Sequence, residues 1–442
     1  MPLHTPPSTL HPIYLDNNAT TRLLPEVVEA MASCWRDGFA NPGSRHVFGR
    51  RARQALETAR ESLAAILGAH PDEVIFTSGG TESNNMAVLG LTNVNPAQSK
   101  PASPPLTKGG LGGSRARLDA THGSDPPCPP FVRGGESHVI ALTRGEHPAV
   151  LEAARSLEPA GVKLHELRVD SAGRLIAEQY DSLPWSELRL VCVILAHNET
   201  GVIQNLAPLA VKCREHRVPF HIDAVQAVGK IPVNFHELGA TTLALGAHKF
   251  CGPRGIGALL LDRGVKLNRI AFGGHQEAER RPGTECVPLI VGMVKALELF
   301  HAERESRTRR LTELRDLLQA GLRRDCPPVV VNGEAAPRLP NTLNVAFPSA
   351  DGEALLVALD LEGVACSLGS TCASGAAEPA PTLVAMGCPP DVYRSSVRFS
   401  LGVETTRDEI DRATEIIARV VKRLRSASST AFPPPSKGGQ GG

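Results

Sequence analysis

Short runs rich in β-formers alternate with helical stretches through most of this chain, and that alternation limits its fold more than any other feature. The runs fall at 74–77 (VIFT), 138–142 (HVIAL), 163–167 (KLHEL), 189–196 (RLVCVILA), 219–223 (PFHID), 242–245 (TLAL) and 257–261 (GALLL). Helical stretches at 50–67, 82–91, 148–157, 206–216 and 289–323 separate or follow them. Strand and helix in alternation predict an α/β unit with a mostly parallel sheet of seven strands. In such sheets ligands sit beyond the carboxyl ends of the strands. A second region begins at about 310, with strands near 341–347 and 396–401 and helices near 352–360 and 407–425. The expected division is a large domain over 25–309 and a smaller α+β domain from 1–24 and 310–428.

Two stretches fall outside this pattern. Residues 95–136 are dominated by Pro, Gly and Ser and lack apolar periodicity, and PPLTKGGLGG at 104–113 is echoed by PPPSKGGQGG at 433–442. Both the insertion and a tail over 429–442 are expected to be disordered. At 442 residues the chain can bury more than one core. Lys plus Arg total 47 against 46 for Asp plus Glu, and aromatics make up 4%. That balance argues against a polyanionic or nucleic-acid partner. Disulfide-stapled folds are short and secreted, and this chain is neither, so its ten cysteines are expected to be reduced thiols in a cytoplasm. They include no CxxC pair, and no intrinsic metal is expected. No signal peptide and no apolar run long enough for a membrane span is visible.

The chemistry gathers at strand ends. The strand at 74–77 runs into Gly79, Gly80 and Thr81, where exposed N–H groups at a helix start suit a phosphate. Thr81 and Ser83 could equally do no more than cap that helix. The strand at 219–223 ends in Asp223, an acid that needs a cation such as a protonated pyridine, or that caps the next helix. The strand at 242–245 leads to His248 and Lys249 before a Gly- and Pro-rich turn. A lysine desolvated there becomes a nucleophile for an aldehyde. Phosphate donors, an acid for a ring nitrogen and an amine for an aldehyde at successive strand ends are the anchors pyridoxal phosphate (PLP) requires.

These residues lie within longer blocks: YLDNNATT at 14–21, NPGSRHVFG at 41–49, FTSGGTESNN at 76–85, GEHPAV at 145–150, HNETG at 197–201, HIDAVQAVGK at 221–230, AHKFCGPRGIGAL at 247–259, RPGTE at 281–285 and SSVRFSLG at 395–402. In order and content they resemble the cysteine desulfurases of the NifS/IscS-like, class V aminotransferase group. The resemblance covers about 14–425, interrupted by the insertion. It implies the aspartate-aminotransferase-like architecture known as PLP fold type I.

By resemblance, Lys249 carries PLP, His147 stacks on its ring and moves protons, and Asp223 holds the pyridine nitrogen protonated. Asn198 and Gln226 contact the phenolic oxygen side; Gly80, Thr81 and His248 bind the phosphate, with Gly246 standing where the family has a hydroxyl. Thr284 would reach the phosphate of a neighbouring subunit, which implies a homodimer. Arg398 would grip the carboxylate of L-cysteine, with Asn41 also at the substrate. Cys372, in CSLGSTCASG at 366–375, would accept the sulfur as a persulfide and could ligate an iron–sulfur cluster in transfer. The product would be L-alanine, and the sulfur would go to an iron–sulfur scaffold or a thio-modifying acceptor. Leu368 departs from the family run, and Cys366 is an extra thiol that either resolves the persulfide or packs. The competing readings are another class V PLP enzyme (a selenocysteine lyase or an aminotransferase) and an inactive paralogue that binds a partner.

Overall fold

The computed structural model describes residues 11–37, 40–92, 138–368 and 380–430, with side chains to 427. The insertion at 95–136, most of the tail at 429–442 and Cys372 lie outside the described residues. Twelve strands and twelve helices are described within that range. Strands β1 (Ile13–Tyr14), β2 (Val74–Thr77), β3 (His138–Thr143), β4 (Val162–Leu167), β5 (Leu188–Ile194), β6 (Phe220–Asp223), β7 (Thr242–Gly246) and β8 (Gly257–Leu261) come first. They are followed by β9 (Val330–Val331), β10 (Thr342–Ala346), β11 (Val364–Ala365) and β12 (Ser396–Ser400).

The seven strands β2–β8 form one sheet in the order β2-β8-β7-β6-β5-β3-β4. The run from β7 to β4 is parallel, and β8 is antiparallel to both of its neighbours. The central strands are buried along nearly their whole length. Their unbroken Val, Ile, Leu and Ala follow from that, because a parallel sheet is covered on both faces. Helices α1 (Pro25–Asp37), α2 (Val47–Leu67) and α7 (Val287–Ala302) contribute Val27, Leu56, Leu63 and Met293 to the core on one face. Helices α3 (Gly80–Leu91) and α4 (Pro148–Arg155) place Val88, Leu91, Val150 and Ala153 against β3 and β5 in another cluster. Short helices α5 (Ala207–Glu215) and α6 (Phe235–Leu238) precede β6 and β7.

A second, antiparallel sheet has the order β12-β10-β9. Its core takes Leu314, Leu318 and Leu322 from α8 (Arg304–Asp325), Leu355 and Leu359 from α9 (Gly352–Leu361), and Ile410, Ile417 and Val421 from α12 (Arg407–Thr430). The amino-terminal segment belongs to this core. Ile13 of β1 pairs in parallel with Val364 of β11, and Asp16 bridges to Ser400. Two small helices, α10 (Pro381–Ala385) and α11 (Pro390–Tyr393), complete the described elements.

The structure corrects one expected element. The stretch at 289–323 is not one helix but two, α7 and α8, broken at Glu303 (φ −104°, ψ 10°). The guanidinium of Arg307 lies 3.6 Å over the Phe300 ring across the break. No Gly or Pro between 293 and 320 marks it in the sequence.

Candidate active site

The carboxyl ends of β2, β5, β6 and β7 open into a cleft of about 800 Å³. At the first of these, Gly79 takes φ 152° and α3 begins at Gly80, so the amides of its first turn have no partner inside the helix. Backbones approach closely here. A Cβ on Gly257 would lie 2.5 Å from the Leu245 carbonyl oxygen and 2.7 Å from the Cα of Gly79, and one on Gly246 would stand 3.3 Å from the Gly80 nitrogen. Amides, small residues and the Thr81 hydroxyl together make an anion cradle.

Asp223 terminates β6 and is buried. Its Oδ1 accepts from the Val225 amide at 2.9 Å, so it does cap the following turn, and its Oδ2 accepts from Asn84 Nδ2 at 2.8 Å. The chain of bonds continues: Asn84 Oδ1 lies 2.9 Å from His221 Nε2, and His221 Nδ1 lies 2.9 Å from Thr242 Oγ1. Because Asn84 donates to the carboxylate, its Oδ1 accepts from a proton on His221 Nε2, and Thr242 donates to Nδ1. Burial drives the His221 pKa down to about 3, which keeps this relay neutral.

Lys249 ends a single 3-10 turn, Ala247–Lys249, between β7 and β8. Its Nζ donates to the carbonyls of Asn18 at 2.7 Å and Ala19 at 2.8 Å. Desolvation, helped by Arg398, lowers its pKa to about 8. A usable fraction of free amine therefore exists near neutrality. His147 is the N-cap of α4, and its Nδ1 accepts from the Ala149 amide at 3.1 Å, which puts its proton on Nε2 in the neutral ring. Burial lowers its pKa, with Lys249 adding to the effect. His248 is lowered to about 4 by burial and then by neighbouring cations. Gln226 is held at both ends: Nε2 donates to the Asn18 carbonyl at 2.9 Å and Oε1 accepts from the buried Lys230 at 2.5 Å.

Arg398 enters from β12. It donates from Nη1 to the Asn198 carbonyl at 3.1 Å and from Nη2 to Asp16 Oδ1 at 2.6 Å. Its Nε is buried with no partner among the described residues. A buried donor without an acceptor is costly. Arg398 as a residue lines the cleft, where its positive charge suits an anion.

Of the residues expected from sequence, Gly80, Thr81, His147, Asn198, Asp223, Gln226, His248, Lys249 and Arg398 line one cleft. Gly246 lies just behind it, against Gly80. Asn41 and Thr284 are exposed and do not line the cleft of a single chain; Asn41 Oδ1 accepts from the Gly43 amide. Burial pushes the Cys366 thiol up to about 12, and its partial packing against the second core favours a packing role over a reactive one.

Sequence reasoning missed two carboxyls. Glu146 and Glu199 line the cleft, are buried, and each has one oxygen with no partner among the described residues. Desolvation pushes both pKa values up to about 8. Their only signal was position, next to His147 and Asn198 in the strand-end blocks.

The aminotransferase class-V family model matches residues 13–100 and 133–413. The cysteine desulfurase IscS of Dictyoglomus turgidum is 39% identical over 416 residues, covering 94% of this chain and 96% of that one. The cysteine desulfurase NifS of Azotobacter vinelandii is 37% identical over 417 residues, covering 94% of each. Among solved structures, a NifS-like protein superposes with a TM-score of 0.78 at 30% identity, over 93% of this chain and 100% of the other. The cleft at the strand ends is thus set in a chain that matches these proteins nearly from end to end, and it belongs to the aminotransferase class-V family, within its cysteine desulfurase group.

Proposed function

We propose that this protein is a PLP-dependent enzyme that takes sulfur from L-cysteine, holds it as a persulfide on Cys372 and releases L-alanine. The observation that carries the reading is the convergence of Lys249, Asp223 and the α3 amides on one cleft. PLP suits the residues present: its phosphate fits the Gly80–Thr81 amides beside Gly246, its ring nitrogen suits the Asp223 carboxylate, and its aldehyde suits the Lys249 amine. When bound, PLP draws electrons from the substrate's Cα and so weakens the bonds around it.

The chain's own groups supply the rest. The relay from Thr242 through His221 and Asn84 aims the Asp223 carboxylate, so that it meets a protonated ring nitrogen without having to reorient. Lys249 Nζ, with its lowered pKa, takes and returns a proton as a base near neutral pH. His147 offers a neutral ring with its proton on Nε2 toward the cleft. Arg398, which lines the cleft, receives the substrate carboxylate. Cys372 lies outside the described residues; its role rests on the resemblance around it. The sulfur passes from the substrate carbon to the Cys372 sulfur, and one thiol plus L-cysteine gives one persulfide plus L-alanine.

The same reading holds that the protein is a cytoplasmic homodimer which hands its sulfur to an iron–sulfur scaffold or a thio-modifying partner. Support comes from the free cysteines of the described residues and from exposed Trp35, Phe48 and Phe272 on a single chain. No helix among the described residues is long and apolar enough to cross a membrane. The division into a unit at 25–309 and one from 1–24 and 310–428 belongs to this reading too, supported by separate core clusters over the two sheets.

Adding PLP to the apoprotein tests the cofactor assignment. Wild type is expected to gain a visible absorption band that survives gel filtration. The rate of uptake should rise with pH and level off above about 8, as the Lys249 amine loses its proton. Lys249→Ala should retain no such band. A stable band in Lys249→Ala would contradict the assignment.

A further inference from the structure

At the far ends of β2 and β7 from the cleft, His70, Glu73 and His236 come together. Glu73 immediately precedes β2, and His236 lies in α6, shortly before β7. The catalytic cleft is at the carboxyl ends of these strands, so the cluster is separate from it. One ligand-type atom from each residue lies within 4.8 Å of the other two.

Glu73 is the unusual member. Its side chain is 1% exposed. Oε2 accepts from the His70 amide at 2.7 Å and lies 2.9 Å from His236 Nε2, and Oε1 accepts from the Arg263 amide at 3.3 Å. Among the described residues no Lys or Arg side chain pairs with it, and nearby Arg263 gives its guanidinium to Asp72. A buried carboxylate without a fixed cation is expensive. The two imidazoles beside it are on exposed residues, with ring centroids 5.0 Å apart, so they can swing toward a common point. Each ligand needs to move by less than about 1 Å to reach the ~2.0–2.2 Å bonds that zinc makes to imidazole and carboxylate.

We propose that His70, Glu73 and His236 form a binding site for a divalent transition-metal ion, with zinc the best-suited common one. Two imidazoles and one carboxylate are a recognised zinc donor set, and the solvent side leaves room for water as a further ligand. The Arg263 and His70 amides fix the carboxylate from behind, as outer partners do in metal sites. Bound metal would tie the start of β2 to α6, residues 163 positions apart in the chain. This revises the expectation of no intrinsic metal, which was drawn from cysteine spacing alone.

The test is the zinc content of the holoenzyme after equilibrium dialysis against buffered zinc, for wild type, His70→Ala, His236→Ala and Glu73→Gln. Zinc held by thiols is common to all four and cancels. Wild type is expected to hold one equivalent more than each variant, and zinc should raise the melting temperature of wild type by about 1–3 °C more than that of each variant at a hundredfold excess over Kd. The two histidine variants alter exposed residues, so they remain informative if Glu73→Gln folds poorly. Equal zinc contents in wild type and both histidine variants would overturn the site, as would a loss in His236→Ala but none in His70→Ala.

Discussion

Glu146 and Glu199 sit in the cleft with their charge suppressed, because burial pushes each carboxyl from 4.5 to about 8. A raised carboxyl pKa means the folded state binds a proton that the unfolded state gives up. The contribution to stability is complete below 4.5 and is lost as pH rises through about 8. Glu199→Gln keeps the shape and removes the titration. Its stability relative to wild type should therefore climb between pH 5 and pH 8, by up to about 1.4 kcal/mol per pH unit, and then level off. Denaturant midpoints across that range check this; parallel curves for the two proteins would contradict it. At this scale the sequence was informative where a residue stood at a strand end, as Lys249, Asp223 and Thr81 do. It was silent on Asn84 and His221, whose importance comes from a hydrogen-bond chain assembled across α3, β6 and β7.

The elements are held in place by polar ties as well as by packing. Arg60 of α2 forms a fork to Glu277, at 2.8 Å and 2.9 Å, and also donates to the Val74 carbonyl at 2.8 Å. Glu277 in turn accepts from the Phe76 amide at 3.0 Å, so this one pair locks α2, β2 and the segment before α7 together. Its burial makes it sensitive to the loss of one partner. Arg60→Ala should destabilise the protein by ~3–5 kcal/mol, chiefly by leaving Glu277 uncompensated. A shift in denaturant midpoint measures this, and a change below about 1 kcal/mol would contradict it. Neither residue carries a local pattern that pairs them, which is why sequence reading passed over both. The long strands were legible because double burial writes unbroken apolar runs. The two-residue strands β1, β9 and β11 are too short for periodicity, and the α7–α8 break lacks a breaker residue.

For the whole molecule, the proposed homodimer would give exposed large apolar side chains, Trp35, Phe48 and Phe272 among them, a partner to cover them. Phe272 is 83% exposed, so replacing it should not disturb the fold of one chain. Wild type is expected to sediment as a dimer and Phe272→Asp to shift toward monomer; a monomeric wild type would contradict the homodimer. Thr284, expected to reach the phosphate of a neighbouring subunit, lies outside the cleft of one chain, as does Asn41, expected at the substrate. Under the proposed homodimer, Thr284 would meet its target only across two copies, which no single-chain pattern encodes.

Under the proposed function, sulfur from L-cysteine passes to Cys372. The measurement is intact-protein and peptide-level mass spectrometry of the PLP-loaded enzyme after one turnover with L-cysteine and no reductant, alongside quantified alanine, in wild type and Cys372→Ser. Wild type should gain the mass of one sulfur on the peptide containing Cys372 and release one alanine per chain, while Cys372→Ser should gain none and release almost no alanine. Alanine release at wild-type rate from Cys372→Ser, or the added sulfur on another cysteine, would contradict it.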